Sequence, residues 1–439
     1  MRTRKGSPTL DLRTVELQPE RAPVDRAASS DAQLVPSSRD LPVDAAKHCE
    51  VVPTRVATGG RHRLQVPLDR GRLVLAKAAF TTRRVPLASL YQDDNMPHLV
   101  SGAMRPRSGD LVLARVERLG QHRFLELASG RRSRMHIDDE ILVAYGDRYA
   151  PDQFEAHVPS DLGRTHLVAS GGIASTELSR CGLVKRATDI APIGLVCDHQ
   201  GSPLNLSGFG LSPQVPKVDR PRTLAVLGTS MNSGKTTTVQ SMVLGLRKAG
   251  ELVGATKVTG TGSGADYWVM VDAGAHQVLD FTDVGLASTY RIPFEVVEAN
   301  FLFLVEHLTN AGCTAILIEV ADGLYQPETA QLITSEVFRG MVDGIIFAAG
   351  DAAGAAGGTR QLLELGLPVV GVSGVLTRSP LAHREAAGAC EVPVFTKAEL
   401  SDAVIAPQLF KGRFHPLDLR RAEAPICKGP ADPMAGARW

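Results

Sequence analysis

The stretch Thr223-Leu-Ala-Val-Leu-Gly-Thr-Ser-Met-Asn-Ser-Gly-Lys-Thr-Thr237 constrains this chain more than any other. A short apolar run enters a Gly-Thr…Gly-Lys-Thr loop, and a helical pattern follows it. That succession is the setting of a phosphate-binding loop, or P-loop. Five residues separate Gly228 from Gly234, where the strict signature has four, and Thr229 stands at the first-glycine position of that signature. The two glycines let the backbone take turns that a side chain would block. The amides of Thr229, Ser230, Asn232, Ser233 and Gly234 then line a nest for phosphate oxygens. The helix starting near Lys235 adds its positive end. Lys235 is expected on the β- and γ-phosphates, Thr236 on magnesium, and Thr237 within the first helical turn.

With 439 residues, 44% hydrophobic and 22% charged, the chain is globular material for two or three domains. A net charge of +1 and 5% aromatics argue against a nucleic-acid partner. Cys49, Cys181, Cys197, Cys313, Cys390 and Cys427 are scattered, with no metal spacing, and read as free thiols of a reducing cytoplasm. No apolar run is long enough to span a bilayer, so no membrane partner is expected. Asp11, Glu16, Glu20 and Asp25 speak against a mitochondrial transit peptide.

Five segments are expected. Residues 1–54, rich in Pro, Ser, Arg and Asp, read as a mobile arm. Residues 55–210 read as a smaller β-rich domain, a barrel or sandwich. Its runs are Arg72–Ala76, Asp110–Val116, Arg123–Leu127 and Glu140–Ala144, with a helical appendage near Ala174–Leu183. Residues 211–221, with three prolines, read as a linker. Residues 222–402 alternate strand and helix. Strands are expected at Thr223–Leu227, Leu252–Lys257, Ala315–Val320, Gly344–Ala348 and Pro368–Val372, the last three apolar on both parities. The fold class is therefore α/β, a doubly wound parallel sheet carrying its ligand at the carboxyl ends of the strands. Residues 403–439 read as a strapping tail with a loose end.

Three segments end at that edge. Lys257 closes the second strand and is followed by a Gly/Thr/Ser loop and Asp266, a magnesium candidate. Ala315-Ile-Leu-Ile-Glu-Val-Ala-Asp-Gly323 places Glu319 and Asp322 where a metal-holding acid is expected, with Glu319 preferred. Ile345–Gly358 runs from a strand into small residues, read either as a loop that approaches a ligand or as a pliant connection. Val369–Gly374 is the expected edge for the base. No Asn-Lys-x-Asp signature is present, so ATP is preferred over GTP. The polar groups of the β-rich segment, among them Tyr91–Asn95, His98, His136 and Asp147–His157, read as solvated turns and strand-edge charges. Ser170-Gly-Gly172, ahead of the possible helix, reads as a tight turn in preference to an anion site, and no Gly-x-Ser-x-Gly elbow or Cys/His pair suggests covalent hydrolysis.

The loop Gly228–Thr236, the strand ending in Lys257, the Gly/Ser turn before Asp266 and the strand ending in Glu319 together resemble dethiobiotin synthetase. They are also similar to its P-loop relatives, the cobyrinate amidases and the molybdopterin-guanine dinucleotide biosynthesis protein B group. P-loop proteins of unassigned function share this type of loop as well. The interior Ser230-Met-Asn-Ser233, Val258 and Glu319-Val-Ala-Asp-Gly323 depart from the synthetase pattern and leave the acceptor open. The resemblance implies a ligase or phosphotransferase that uses ATP and Mg2+ to phosphorylate a small molecule, a carboxylate or carbamate by preference. Lys235 and Lys257 would be its catalytic cations, and Thr236, Asp266 and Glu319 its metal ligands. A reading of a different class is a nucleotide switch or assembly factor whose β-rich domain docks a partner. Either reading admits a homodimer.

Overall fold

The parallel sheet follows from strands that are apolar on both parities. In the computed structural model, which describes residues 54–56, 63–91, 96–215 and 219–411, six parallel strands lie side by side. Their spatial order is Gln277–Asp280, Val253–Lys257, Ala315–Glu319, Arg222–Gly228, Gly344–Ala348 and Val369–Ser373. Ala225, Leu227, Ile316, Ile318 and Phe347 face one buried cluster, with Phe301, Leu304, Val305 and Leu308 of the helix Phe294–Asn310. Leu224, Val226, Leu317 and Ile346 face the other, with Val239, Met242 and Leu246 of the helix Lys235–Lys248. Helices thus cover both faces, and each such buried side chain contributes about 1.5–3 kcal/mol. The fold is the doubly wound α/β arrangement with a P-loop after its first strand.

The β-rich segment forms a mixed sheet of eleven strands. Five of them close a ring: Thr188–Cys197 pairs with Leu111–Arg118, which pairs with Glu140–Tyr145, then Ile173–Arg180, then Thr165–Ala169, which returns to Thr188–Cys197. Of the two expected architectures, a barrel-like closure is present.

Three expectations are corrected. Arg72–Ala76 is not a strand; Arg70–Leu75 is a short helix, because the Asp69 carboxylate accepts from the Gly71 N–H and caps its start. The expected helix near Ala174–Leu183 is instead the strand Ile173–Arg180. Gly172, at φ +102°, turns the chain so that this strand pairs back along Thr165–Ala169. The small residues after Ile345–Ala348 are helix rather than loop: Asp351 caps Ala352–Glu364 through the Gly354 N–H at 2.7 Å. A Cβ on Gly358 would meet the Phe347 ring at 2.3 Å, so the lack of side chains serves helix-on-sheet packing. The strand Gln277–Asp280, four residues long, had no expected counterpart.

The segment read as a tail has its first residues, up to Lys411, among those described. The helix Ile405–Lys411 brings Ala406, Leu409 and Phe410 against Met242 and Val243. Residues 412–439, Cys49, Cys427, Gln92–Asn95 and nearly all of the expected arm lie outside the described residues. Among the described residues, no helix is long and apolar enough to cross a membrane.

All the described residues belong to one compact unit, and a buried cation joins its two larger sheets. Arg83 of the β-rich segment meets Asp280 at 3.1 Å and Asp283 at 2.5 Å, with all three side chains no more than 10% exposed. Its guanidinium lies 4.3 Å from the Phe80 ring centroid and 4.7 Å from that of Tyr267. Burial, and then Asp280, carry the Asp283 carboxyl up to about 6 even with Arg83 beside it. Arg83→Met therefore strands two buried carboxylates and is expected to destabilise the protein by about 3–5 kcal/mol in urea denaturation. Unchanged stability would show that Arg83 does not join the sheets.

Candidate functional site

The P-loop is shaped by what its glycines exclude. A Cβ on Gly228 would sit 2.4 Å from Ser233 Oγ and 2.9 Å from Lys235 Cγ, so only glycine lets the loop close over the strand end. Asn232 (φ +62°) and Gly234 (φ +103°) are left-handed and reverse the chain into the helix. The Val375 N–H donates to Ser233 O at 2.9 Å, bracing the loop against the turn at Gly374. The amides of Lys235, Thr236 and Thr237 open the helix and have no intrahelical acceptor. The Thr229 amide is committed to Ala348 O at 3.0 Å, and the Asn232 side chain donates to Asp152 of the β-rich segment at 2.7 Å. The Ser230 hydroxyl donates to Met231 O at 3.0 Å, while Ser233 Oγ is buried without a partner.

Charge gathers just beyond. Lys235 is buried and folds back to donate to Ser230 O at 2.8 Å. The Thr236 hydroxyl donates to Glu319 Oε1 at 3.0 Å, and Glu319 Oε2 is buried with no partner. Of the two competing acids, Glu319 is the one bonded to Thr236. Lys257 is ion-paired with Asp266 and lies 4.0 Å from Glu319 Oε1. Burial lowers the Lys235 pKa against the pull of Glu319 and Asp322. Burial raises the pKa of both Glu319 and Asp322. For Lys257, burial works against the charge, but Asp266 and Glu319 outweigh it and the pKa rises. These groups line a cavity of about 520 Å3. A smaller one of about 60 Å3, bounded by Thr237, Ser373, Gly374, Thr377 and Arg378, adjoins it at the end of Val369–Ser373, the expected base edge.

Sequence reasoning missed the contribution of the β-rich segment. Asp147–Asp152 is not a solvated turn: Arg148 is buried, and Asp147 pairs with Arg291 at 3.2 Å. The turn Ser170–Gly172, expected to be tight, also abuts the Gly/Thr/Ser loop after Lys257. A Cβ on Gly171 would lie 2.1 Å from Gly262 O. Together with His122, Gln153 and Asp322 these elements bound a third cavity, of about 170 Å3. An arginine in a Tyr-Gly-Asp-Arg-Tyr run carries no local mark of burial, and only the approach of the two sheets creates it.

No protein-family model matches the sequence, and no curated protein matches it. Among solved structures the chain is similar to the signal recognition particle 54 kDa protein from Aeropyrum pernix in complex with GDP, at 17% identity, 49% of this chain, 51% of that one and a TM-score of 0.31. It is similar also to the signal recognition particle receptor FtsY from Elizabethkingia anophelis, at 13% identity, 47% of this chain, 70% of that one and a TM-score of 0.29. A third is the kinase domain of the Escherichia coli tyrosine kinase ETK, at 13% identity, 36% of this chain, 68% of that one and a TM-score of 0.28. The chain spans about half the length of the first of these. The fold assignment rests on this chain's own strand order and loop.

Gly234 combines a positive φ with a neighbour, Gly374 Cα, 3.0 Å from where a Cβ would stand. Gly234→Ala is expected to cost about 1–3 kcal/mol in chemical denaturation. A neutral effect would mean that the loop is free to take another shape.

Proposed function

We propose that the protein uses a nucleoside triphosphate and magnesium to transfer the γ-phosphoryl group to a small-molecule acceptor. The observation that carries this reading is a pair of opposite deficits at one sheet edge. Lys235 is a buried cation whose nearest acceptor is a neutral carbonyl, and Glu319 is a buried carboxylate with one unpartnered oxygen. An anion on the loop amides relieves the first, and a cation beside Thr236 relieves the second. The donor set suits magnesium, which is held by one or two carboxylates together with substrate phosphates. Among the described residues, no three His, Cys, Asp or Glu side chains form a metal-holding group of their own, which matches that mode rather than an all-protein cage. Magnesium held there would supply charge neutralisation to the phosphates.

The residues then divide the work. Gly228 and Gly234 hold the loop open to phosphate, while the amides of Lys235, Thr236 and Thr237 donate to it. Lys235 turns from Ser230 O to the β- and γ-phosphates. Thr236 and Glu319 would hold the metal. Asp266 is committed to Lys257 and keeps that ammonium aimed into the cavity. Lys257 stabilises charge on the transferring group. An acceptor oxygen attacks the γ-phosphorus and forms the new O–P bond. The bond to the β–γ bridging oxygen breaks, and the nucleoside diphosphate leaves with that electron pair. A carboxylate acceptor has no proton to lose and yields an acyl phosphate. ATP is the preferred donor, its base seated beside Gly374 and Arg378.

Lys235→Ala is expected to weaken magnesium–ATP binding by about 2–5 kcal/mol, the cost of truncating one partner of a buried charge-assisted contact, without lowering the unfolding midpoint. Calorimetry on both proteins checks it. Equal affinities would overturn the reading.

A further inference from the structure

The third cavity holds a cation that the phosphate site does not use. Arg148 is 4% exposed, and its guanidinium has no carboxylate partner among the described residues. Nη2 donates to Gln153 Oε1 at 2.8 Å, Nη1 faces His122 Nε2 at 3.2 Å, and Nε is buried with no partner. The His122 contact is itself compromised. The same Nε2 lies 3.0 Å from Val168 O. One ring nitrogen cannot both accept from Arg148 and donate to a carbonyl. Burial, and then the adjacent Arg148, hold His122 down to about 3, so the ring is neutral and one of the two contacts goes unmet. Asp322 and Glu126 act on Arg148 through space without bonding to it, and burial pulls its pKa down to about 10.

A buried ionised group with no hydrogen-bonded counter-charge is strongly unfavourable, and a ligand anion would supply that partner. The cavity suits one small anion. A guanidinium fork matches a carboxylate through two parallel hydrogen bonds. Asp266 and Asp322 also line the cavity and disfavour a second negative charge on the group held at Arg148, as a phosphate dianion would bring. A cavity of about 150 Å3 admits a molecule the size of benzene, so the ≈ 170 Å3 here fits a short carbon chain. Ser170 is not free to serve as a second anion donor, because its hydroxyl donates to Glu126 Oε1 at 3.0 Å. Glu126 also caps the helix Gly264–Asp272 through the Gly264 N–H at 2.7 Å.

We propose that this cavity seats the acceptor, and that Arg148 anchors a carboxylate of a small molecule whose other end points toward Lys257. The cavity shares Met231, Lys257, Asp266 and Asp322 with the phosphate cavity, so a molecule anchored at Arg148 meets the edge where the γ-phosphate would lie. The word acceptor rests on the phosphoryl-transfer reading; the carboxylate site does not. The β-rich segment thereby selects the substrate, while the P-loop segment activates the phosphate.

The test uses the full-length protein, titrated in separate calorimetric experiments with succinate, inorganic phosphate and magnesium–ATP. Wild type is expected to bind succinate saturably and more tightly than phosphate. In Arg148→Met, succinate affinity should fall at least about tenfold, in line with the loss of a charge-assisted contact, and Arg148→Lys should recover part of it. The unfolding midpoint of Arg148→Met should hold or rise, because an uncompensated buried charge is removed. A drop in midpoint would instead mark Arg148 as a structural ion partner and overturn the proposal. So would wild type that binds no succinate, that prefers phosphate, or whose succinate affinity survives in Arg148→Met. The magnesium–ATP arm is independent: no binding there removes the phosphoryl-transfer reading and leaves the carboxylate site to stand or fall on the succinate arm.

Discussion

Lys235 and Glu319 are buried at the same edge of the parallel sheet; the ammonium is hydrogen-bonded to a neutral carbonyl, and the carboxylate has one oxygen without a partner. Burial drives the two pKa values in opposite directions, down for the lysine and up for the acid, so each is pushed toward its neutral form. A packed interior usually removes such groups or pairs them. Here they are kept apart by the chain's own geometry. Lys235 opens the helix after a loop that only glycine at 228 and 234 permits, while Glu319 ends the neighbouring strand. The adjacency of the strands Arg222–Gly228 and Ala315–Glu319 brings Thr236 to Glu319. Everything proposed about chemistry depends on that juxtaposition.

The second half of the site comes from outside the parallel sheet. The barrel-like segment reaches the edge through the turn Ser170–Gly172 and the stretch around Arg148, and contact with the loop at Gly262 is close enough to exclude any side chain at Gly171. Arg83, wedged between two aromatic rings and two acids of the other sheet, holds the approach in register. The cavity beside the P-loop and the cavity at Arg148 thus share Met231, Lys257, Asp266 and Asp322, while the far wall of the second comes from the β-rich segment. On the proposed reading, this arrangement would separate activation of a phosphate from selection of its acceptor.

Much of the parallel sheet was legible because its signals are local. Strands buried on both faces read as short apolar runs, and the P-loop keeps the Gly-Lys-Thr end of its signature. Lys257, Asp266, Glu319 and Asp322 could be placed at one edge because parallel topology sends every strand end there. The failures have equally specific causes. Arg70–Leu75 is too short for periodicity to separate helix from strand, and its deciding feature is a single cap at Asp69. Ile173–Arg180 follows two glycines that read as well before a helix as in a hairpin. The alanines and glycines of Ala352–Glu364 looked like a loop because their purpose, close approach to Phe347, lies on another element. Arg148 and His122 were hidden for the same reason: burial created between two sheets leaves no trace in either segment alone.

The most direct measurement is a crystal structure with a non-hydrolysable ATP analogue and manganese, the metal located by its anomalous scattering. The expected result is a triphosphate over the amides of residues 235–237, with the metal peak beside Thr236 Oγ1 and the Glu319 carboxylate. A nucleotide absent from the loop, or a metal bound away from both residues, would contradict the central claim.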